Sequence, residues 1–521
     1  MMLLSKLLIN SDLGQYTVID SRDGNETTTS NINIEELFTD SRQVVNNGLY
    51  IALDGLHTDS HKCVGEAADH GARAAIVSRQ AYLEGRVSRS IEPHLLILVD
   101  DTREAFAKIY ASRYSNPQKS MTFIGVTGTN GKTTVSRMIF EILTRSGHKC
   151  GLVGTEGSFI SGSEDDASTC TELGIKPRSA LANMTTPDPP ELYQILDQMR
   201  KSGVIYVVME VTSHSLALGK VAPIFFDVGV FTNLTEDHLD FHLSMEEYFK
   251  AKKKLFSRCR CAIVNIDDQY GRRLAEELEI NRYTCSAEGR AADYNACDVR
   301  SLGERGVEYR LASGRMRLRL RTRIPGGVTV MNTMQAAATC NLLGISARDI
   351  KDSVASIEGI KGRLERIKLP NYVNFSVYID YAHTPDALEN LLRSAKMLAG
   401  RNQRVVLVFG CGGDREKQKR GMMGRIASQM ADFFVVTEDN SRSERTSDII
   451  DEIVSGITDE GHYTVIEDRE KAIEYVIKNA RDGDIILLAG KGHEEYQIKG
   501  NEKREFSERK IVEKYTKRYY G

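Results

Sequence analysis

The sequence predicts an α/β protein of three consecutive domains, at 1–115, 116–360 and 361–521, and three observations carry that expectation. Phe123, Ile124 and Val126 form an apolar run that reads as a buried strand. The loop Gly125-Val-Thr-Gly-Thr-Asn-Gly-Lys-Thr-Thr134 follows, then a helix with Val135, Met138, Ile139, Ile142 and Leu143 on one face and Gly147 as its stop. From about 120 to 360 strand and helix patterns alternate, as in a parallel sheet covered by helices. After Arg363 the alternation restarts, with strands expected at Phe375 to Asp380, Arg404 to Phe409, Phe433 to Thr437, Tyr463 to Ile466 and Asp484 to Leu488. The region before 115 holds short mixed elements and ends in a helix pattern from Thr102 to Arg113. Asn116-Pro-Gln-Lys119 beyond it reads as a polar linker.

Composition narrows the function classes. A chain of 521 residues, 41% hydrophobic and 27% charged, is long enough for several cored domains. A net charge of −3 exerts no global pull toward nucleic acid or acidic membranes. The segment Met1 to Ile9 is too short for a signal h-region, and no later apolar run is long enough to span a bilayer. The nine cysteines are scattered, and the C-x-C of Cys259 and Cys261 has no partner pair to complete a zinc site. Idle thiols in a reducing cytoplasm are the expectation.

The glycine-rich loop carries the first chemistry. Glycines at 128 and 131 let backbone amides approach phosphate oxygens, and the helix that follows points its positive end at them. Thr129, Asn130 and Thr134 share this cradle, Lys132 reaches the β- and γ-phosphates, and the Thr133 hydroxyl is placed to ligand Mg²⁺. Val126 stands where the usual motif has its first glycine. ATP is the expected nucleotide.

Further polar clusters fall where an open parallel sheet binds its ligands, beyond the carboxyl ends of strands. They are Glu210-Val-Thr-Ser-His214, Thr232 to His242, Asp380-Tyr-Ala-His-Thr-Pro385, Gly410-Cys-Gly-Gly-Asp-Arg415, Thr437-Glu-Asp-Asn-Ser-Arg442 and Gly490-Lys-Gly-His-Glu494. Their division between two domains implies a cleft. Glu210 and His238 are the candidate Mg²⁺ ligands, since a carboxylate and a neutral imidazole beside a triphosphate would neutralise charge in phosphoryl transfer. Lys250, Lys252, Lys253 and Lys254 read as a solvated basic face.

Gly-Thr-Asn-Gly-Lys-Thr-Thr, Thr-Asn-Leu-Thr-x-Asp-His-Leu-Asp and Asp-Tyr-Ala-His-Thr-Pro together resemble the Mur ligase family, ATP-dependent enzymes that add amino acids to the peptidoglycan precursor. Asp40-Ser-Arg42 with Gly48 to Leu53, Thr185-Thr-Pro-Asp188, Gly410 to Arg415 and Gly490 to Gln497 resemble the branch that extends UDP-N-acetylmuramoyl-L-alanyl-D-glutamate. The resemblance covers essentially the whole chain. It implies an N-terminal domain holding the uridine nucleotide, a central P-loop ATPase domain and a Rossmann-like C-terminal domain bringing the amino acid. It implies that Ser41 contacts the uridine nucleotide, and that Thr185, Thr186, Thr212 and Lys220 hold its phosphates or muramoyl arm. Asn332, Arg363 and His383 would face the adenine nucleotide. Lys252 stands where the family carries a carbamylated lysine, whose anion would help hold a second Mg²⁺. Thr212 and Lys220 replace the family's Ser and Arg, so the fork of Arg is lost. The implied chemistry is formation of an acyl phosphate from ATP, then attack by an amine.

The added amino acid would be read by Asp439, Asn440, Ser441 and Arg442, with Arg415, Gly490 and Glu494 completing the pocket. The family's diaminopimelate-adding members have Pro where this chain has Ser441. Arg442 suits the distal carboxylate of meso-diaminopimelate, with lysine the alternative. Folylpolyglutamate synthetase, of the same superfamily, would share the P-loop but not Asp-Asn-Ser-Arg, and a non-enzymatic nucleotide-binding module would keep the P-loop but have little need of Glu210, His238, Lys252 and Arg442 together. Arg315, Arg317, Arg319, Arg321 and Arg323 alternate with apolar residues and read as the exposed face of an antiparallel strand rather than a nucleic-acid surface. Small-molecule substrates, a monomer and no membrane insertion complete the expectations.

Overall fold

The computed structural model describes residues 2–29, 32–54, 59–87, 95–162, 170–174, 184–314, 316–400, 403–458 and 462–521. Met1 and Arg315 lie outside the described residues. The protein is α/β and divides into two compact units, one of Met1–Ile124, Lys149–Gly162 and Thr169–Asp227, the other of Gly125–His148, Ser163–Ser168 and Val228–Gly521.

The first unit contains a five-stranded sheet in the order Thr17–Asp20, Leu95–Val99, Ala72–Ser78, Gly48–Ile51, Glu36–Phe38. All neighbours are parallel except the first pair. Leu95–Val99 is apolar and buried throughout, as a strand covered on both faces must be. The helix Thr102–Arg113 begins where the Asp101 carboxylate accepts from the amides of Arg103 and Glu104, matching the expected bounds. Asn116-Pro-Gln-Lys119 is not the expected polar linker. Its residues from Pro117 form the 3-10 turn Pro117–Ser120, with Pro117 and Gln118 buried and the turn packed on helix Pro189–Lys201. Proline presets the turn's φ, and neighbouring apolar surface then covers it.

In the second unit the helix Lys132–Arg145 packs along Val328–Leu342. Strands Cys259–Asn265, Asn281–Ser286 and Tyr294–Ser301 are parallel neighbours. Val307–Ser313 and Met316–Thr322 then extend the sheet antiparallel. Along this last strand Arg317, Arg319 and Arg321 are exposed while Leu318, Leu320 and Thr322 are buried, the period-two alternation of a half-buried strand.

The C-terminal sheet has six strands, in the order Glu365–Arg366, Ser376–Asp380, Ile485–Ala489, Val405–Phe409, Phe433–Val436, Tyr463–Val465. Only the first pair is antiparallel. Leu388, Leu391 and Leu392 pack on one face, and Ile473, Val476 and Val512 pack on the other. This three-layer arrangement sends the loops 380–385, 410–415, 437–442 and 490–494 out from the carboxyl edge. Among the described residues no helix is long and apolar enough to cross a membrane.

Leu243 ends the short helix Leu239–His242 at φ +62, with 85% of its surface exposed. A left-handed backbone costs a non-glycine residue about 1–2 kcal/mol, and glycine gives back roughly 0.5–1 kcal/mol of that as chain entropy. Leu243→Gly is therefore expected to stabilise the protein by about 0.5–1 kcal/mol, read from denaturant midpoints at unchanged slope. A lower midpoint would mean that the Leu243 side chain has packing partners.

Candidate nucleotide and amino-acid site

The strand Thr122–Thr127 delivers the glycine-rich loop, and Gly131, in a left-handed conformation, opens the helix at Lys132. Gly128 has φ +149, and a Cβ there would meet the Thr232 hydroxyl at 1.8 Å, so only glycine fits. The neighbouring loop templates this one. Thr129 N donates to Asn233 O at 3.0 Å and Asn130 N to Asn233 Oδ1 at 2.9 Å, while Thr232 Oγ1 donates to Asn130 O at 2.6 Å. Asn332 sets its Oδ1 beside Gly131. Thr134 lies half-buried in the helix's first turn.

Two ammonium groups converge on one carbonyl. Lys132 Nζ donates to Gly128 O at 3.0 Å and Thr129 O at 2.9 Å, and Lys252 Nζ donates to Gly128 O at 2.8 Å. Lys252 is 1% exposed, so it leaves the solvated face expected of it. It sits three and four residues after Phe249 and Tyr248, and its Nζ lies 4.5 Å from the Tyr248 ring centre. Burial, and then Lys132, hold its ammonium well below the ordinary lysine range.

Arg363 Nη2 donates to Thr133 Oγ1 at 2.9 Å, and the guanidinium lies 4.7 Å from the Tyr381 ring centre. His383 Nδ1 faces Tyr381 O at 2.8 Å, and burial lowers the imidazole to about 4, so it is neutral at pH 7. His238 takes a left-handed backbone and sits 3.4 Å from Asp237. Burial would raise the Asp237 carboxyl, but His238, Lys419, His383 and Lys132 together hold it at about 2. These residues all belong to the second unit.

Glu210 belongs to the first unit, at the end of strand Tyr206–Glu210, and is 2% exposed. Thr155 donates to it twice, from its amide at 2.8 Å and its hydroxyl at 3.0 Å. Thr185 Oγ1 is 3.0 Å from Thr155 Oγ1, and Thr186 Oγ1 lies 2.9 Å from Glu210 O and 3.3 Å from Thr212 Oγ1. Buried Lys220 pairs with Asp188 at 2.7 Å. Ser41, in the turn Ser41–Gln43, is buried and donates to Glu66.

The residues expected to read the amino acid lie on loops of the C-terminal sheet. Arg442 Nη1 donates to Gly413 O at 2.7 Å, and its backbone is held at φ +49. Arg442 and Arg415 flank Gly412, and burial followed by the Arg415 charge lowers the Arg442 guanidinium from its ordinary value. Asn440 Nδ2 donates to Glu494 Oε2 at 2.9 Å, and burial with Asp439 raises the Glu494 carboxyl. Ser441 is 2% exposed, and Gly490 sits against Asp439.

Several residues in these clusters escape sequence reasoning. Thr155 orients Glu210, and Asp386 Oδ2 accepts from Asn130 Nδ2 at 2.7 Å. Lys491, fully buried, donates to Asn440 Oδ1 at 3.1 Å and pairs with Asp439 at 3.1 Å. Thr155 follows an apolar strand directly and Lys491 lies inside a motif, which were the available signals. Asp386 offers none beyond its place at a helix start.

Family models match residues 126–340, as the Mur ligase middle domain, and 362–492, as the Mur ligase glutamate ligase domain. The UDP-N-acetylmuramoyl-L-alanyl-D-glutamate--2,6-diaminopimelate ligase 1 of Clostridium acetobutylicum is 37% identical, over 94% of this chain and 96% of its own. The ligase of the same substrates from Clostridioides difficile is 39% identical over 92% and 95%. A solved UDP-N-acetylmuramoyl-L-alanyl-D-glutamate--2,6-diaminopimelate ligase superposes with a TM-score of 0.62 at 28% identity, over 94% of this chain and 96% of the other. With the nucleotide loop, its paired lysines and the arginine pocket lying within the matched segments, the chain belongs to the Mur ligase family.

Proposed function

We propose that the protein is an ATP-dependent, ADP-forming ligase that joins meso-diaminopimelate to the D-glutamyl γ-carboxylate of UDP-N-acetylmuramoyl-L-alanyl-D-glutamate, a step of peptidoglycan precursor synthesis. The observation that carries this reading is the pairing of Arg415 and Arg442 about Gly412, with Glu494 beside them. Two like charges at one place call for an anion, and Glu494 with Asn440 answers an adjacent ammonium. The distal centre of meso-diaminopimelate carries both groups. Lysine carries only the ammonium and would bring Arg442 no carboxylate partner.

The rest of the reaction is assigned to the chain's other clusters. Gly128, Thr129, Asn130, Gly131 and Thr134 cradle the phosphates, and Lys132 disperses charge on the transferring group. Asn332, Arg363 and neutral His383 face the adenine nucleotide. Thr185, Thr186, Thr212, Lys220 and Ser41 hold the uridine nucleotide and its peptide arm. The substrate carboxylate attacks the γ-phosphate of ATP, ADP leaves, and the amine displaces phosphate from the acyl phosphate to form the amide. In the second unit Thr133, His238 and a carbamylated Lys252, and in the first unit Glu210, are the residues proposed to offer donors to Mg²⁺, which would neutralise phosphate charge when bound. Residues 1–115, 116–360 and 361–521 are the proposed uridine-nucleotide, ATPase and amino-acid parts of a cytoplasmic monomer.

The test is ATP-dependent phosphate release with the UDP-muramoyl dipeptide, comparing meso-diaminopimelate with L-lysine. Release with diaminopimelate alone is expected. Lysine preference would reassign the pocket but keep the ligase, whereas release only with a folate acceptor would move the protein to the folylpolyglutamate class.

A further inference from the structure

The two arginines of the amino-acid pocket sit on different loops, Arg415 after strand Val405–Phe409 and Arg442 after strand Phe433–Val436. A two-point grip on one substrate requires those loops to keep a fixed separation, to which Arg442 Nη1 contributes one bond, to Gly413 O at 2.7 Å, and Gly413 N another, to Asn440 O at 2.9 Å. Arg420, on helix Gln418–Met430, is fully buried and spans the gap. Its Nη2 donates to Gly412 O of the first loop at 3.1 Å and to Glu444 Oε1, just past the second loop, at 2.9 Å. Its Nη1 donates to Glu444 Oε2 and Glu452 Oε2, each at 2.9 Å.

Glu444 closes the bracket from the other side. Its Oε1 also accepts the amide of Asp414 at 2.6 Å, next to Arg415, and its own amide donates to Ser441 O at 3.1 Å, next to Arg442. The loops approach so closely that a Cβ on Gly413 would lie 1.9 Å from Ser441 O. The Arg420 guanidinium holds the Glu444 carboxyl at about 2, so the bracket stays ionised across the working pH range.

We infer that Arg420, acting through Glu444, is a positioning residue that sets the separation of the Arg415 and Arg442 loops and thereby the choice between amino acids with and without a distal carboxylate. The inference rests on the ligase reading above. Glu452 shares Arg420 but has no bond to either loop among the described contacts, which makes it the control.

The experiment measures steady-state phosphate release by full-length wild-type, Glu444→Gln and Glu452→Gln proteins, with meso-diaminopimelate and L-lysine, alongside thermal unfolding. Glu444→Gln is expected to raise KM for diaminopimelate about 10- to 100-fold, the usual effect of a misplacement near 1 Å. Its KM for ATP should stay within about twofold and its preference over lysine should collapse. Glu452→Gln should keep wild-type KM values. If Glu444→Gln does not fold, Arg420→Lys, which cannot reach both loops at once, is read in its place. Unchanged diaminopimelate KM, a parallel rise in ATP KM, or equal effects from both glutamates would overturn the inference alone. Wild-type protein silent with both amino acids would overturn the ligase reading, and the inference with it.

Discussion

Lys252→Met is expected to lower ligase activity by about 10²–10³-fold, the usual loss on removing one charge-stabilising group. The same substitution should make the metal-free protein more stable. Lys252 is fully buried, shares the Gly128 carbonyl with Lys132, and has no carboxylate within ion-pair distance among the described residues. A buried ammonium so placed costs stability, and an apolar side chain of similar length is expected to recover about 1–4 kcal/mol. The pH dependence has a defined sign. The folded-state value of Lys252 lies below its unfolded value of about 10.4. Between the two, the unfolded chain binds a proton that the folded chain does not, so wild-type stability rises with pH across that window. The penalty is complete below the folded value, and the gain from Lys252→Met is therefore largest there.

The stability measurements belong in carbon-dioxide-free buffer and the activity measurements in buffer that contains it, because an unprotonated buried amine is what adds to carbon dioxide. The N–C bond forms, a proton leaves, and the product is the carbamate anion proposed as a metal ligand. Labelled carbon dioxide should then give one protein carbamate resonance in the wild type that Lys252→Met lacks. Full activity in Lys252→Met would remove the residue from the mechanism, and a lower unfolding midpoint would mean that the ammonium is compensated after all.

How much of this was legible depended on whether a signal was local. Val405–Phe409 and Ile485–Ala489 are uninterrupted apolar runs because both faces of their sheet are covered, so they stand out within a residue of their ends. The loops after them could be located from the strands alone. Lys252 was half legible. Its neighbours at 250, 253 and 254 suggested a wet face, yet its spacing from Tyr248 and Phe249 put it on the apolar one. Asp386 and Arg420 were not legible as partners of Asn130 and Glu444, because each contact joins residues distant along the chain. The turn at Pro117 misread as linker shows the same limit: polar composition does not reveal what will pack over it.

Arg442→Ala is expected to cost the diaminopimelate reaction about 2–5 kcal/mol in kcat/KM, roughly 30-fold to several-thousand-fold. It should spare the lysine reaction. The backbone at this position is pinned independently of the side chain, since Arg442 N donates to Ile498 O at 3.3 Å and Gly500 N donates to Arg442 O at 2.7 Å. The substitution therefore removes the guanidinium and its bond to Gly413 O while leaving these backbone ties in place. Arg442→Lys should recover little, because an ammonium on a flexible stem cannot reproduce the planar fork. Stability should hold or improve, since burial and Arg415 already disfavour the charge that is lost. KM for ATP is the internal control, because the arginine contacts nothing in the phosphate loop among the described hydrogen bonds. Equal losses with diaminopimelate and lysine would mean that Arg442 holds the pocket together rather than reading the distal carboxylate. Discrimination would then fall to Arg415, whose exposed guanidinium acts on Arg442 from the neighbouring loop.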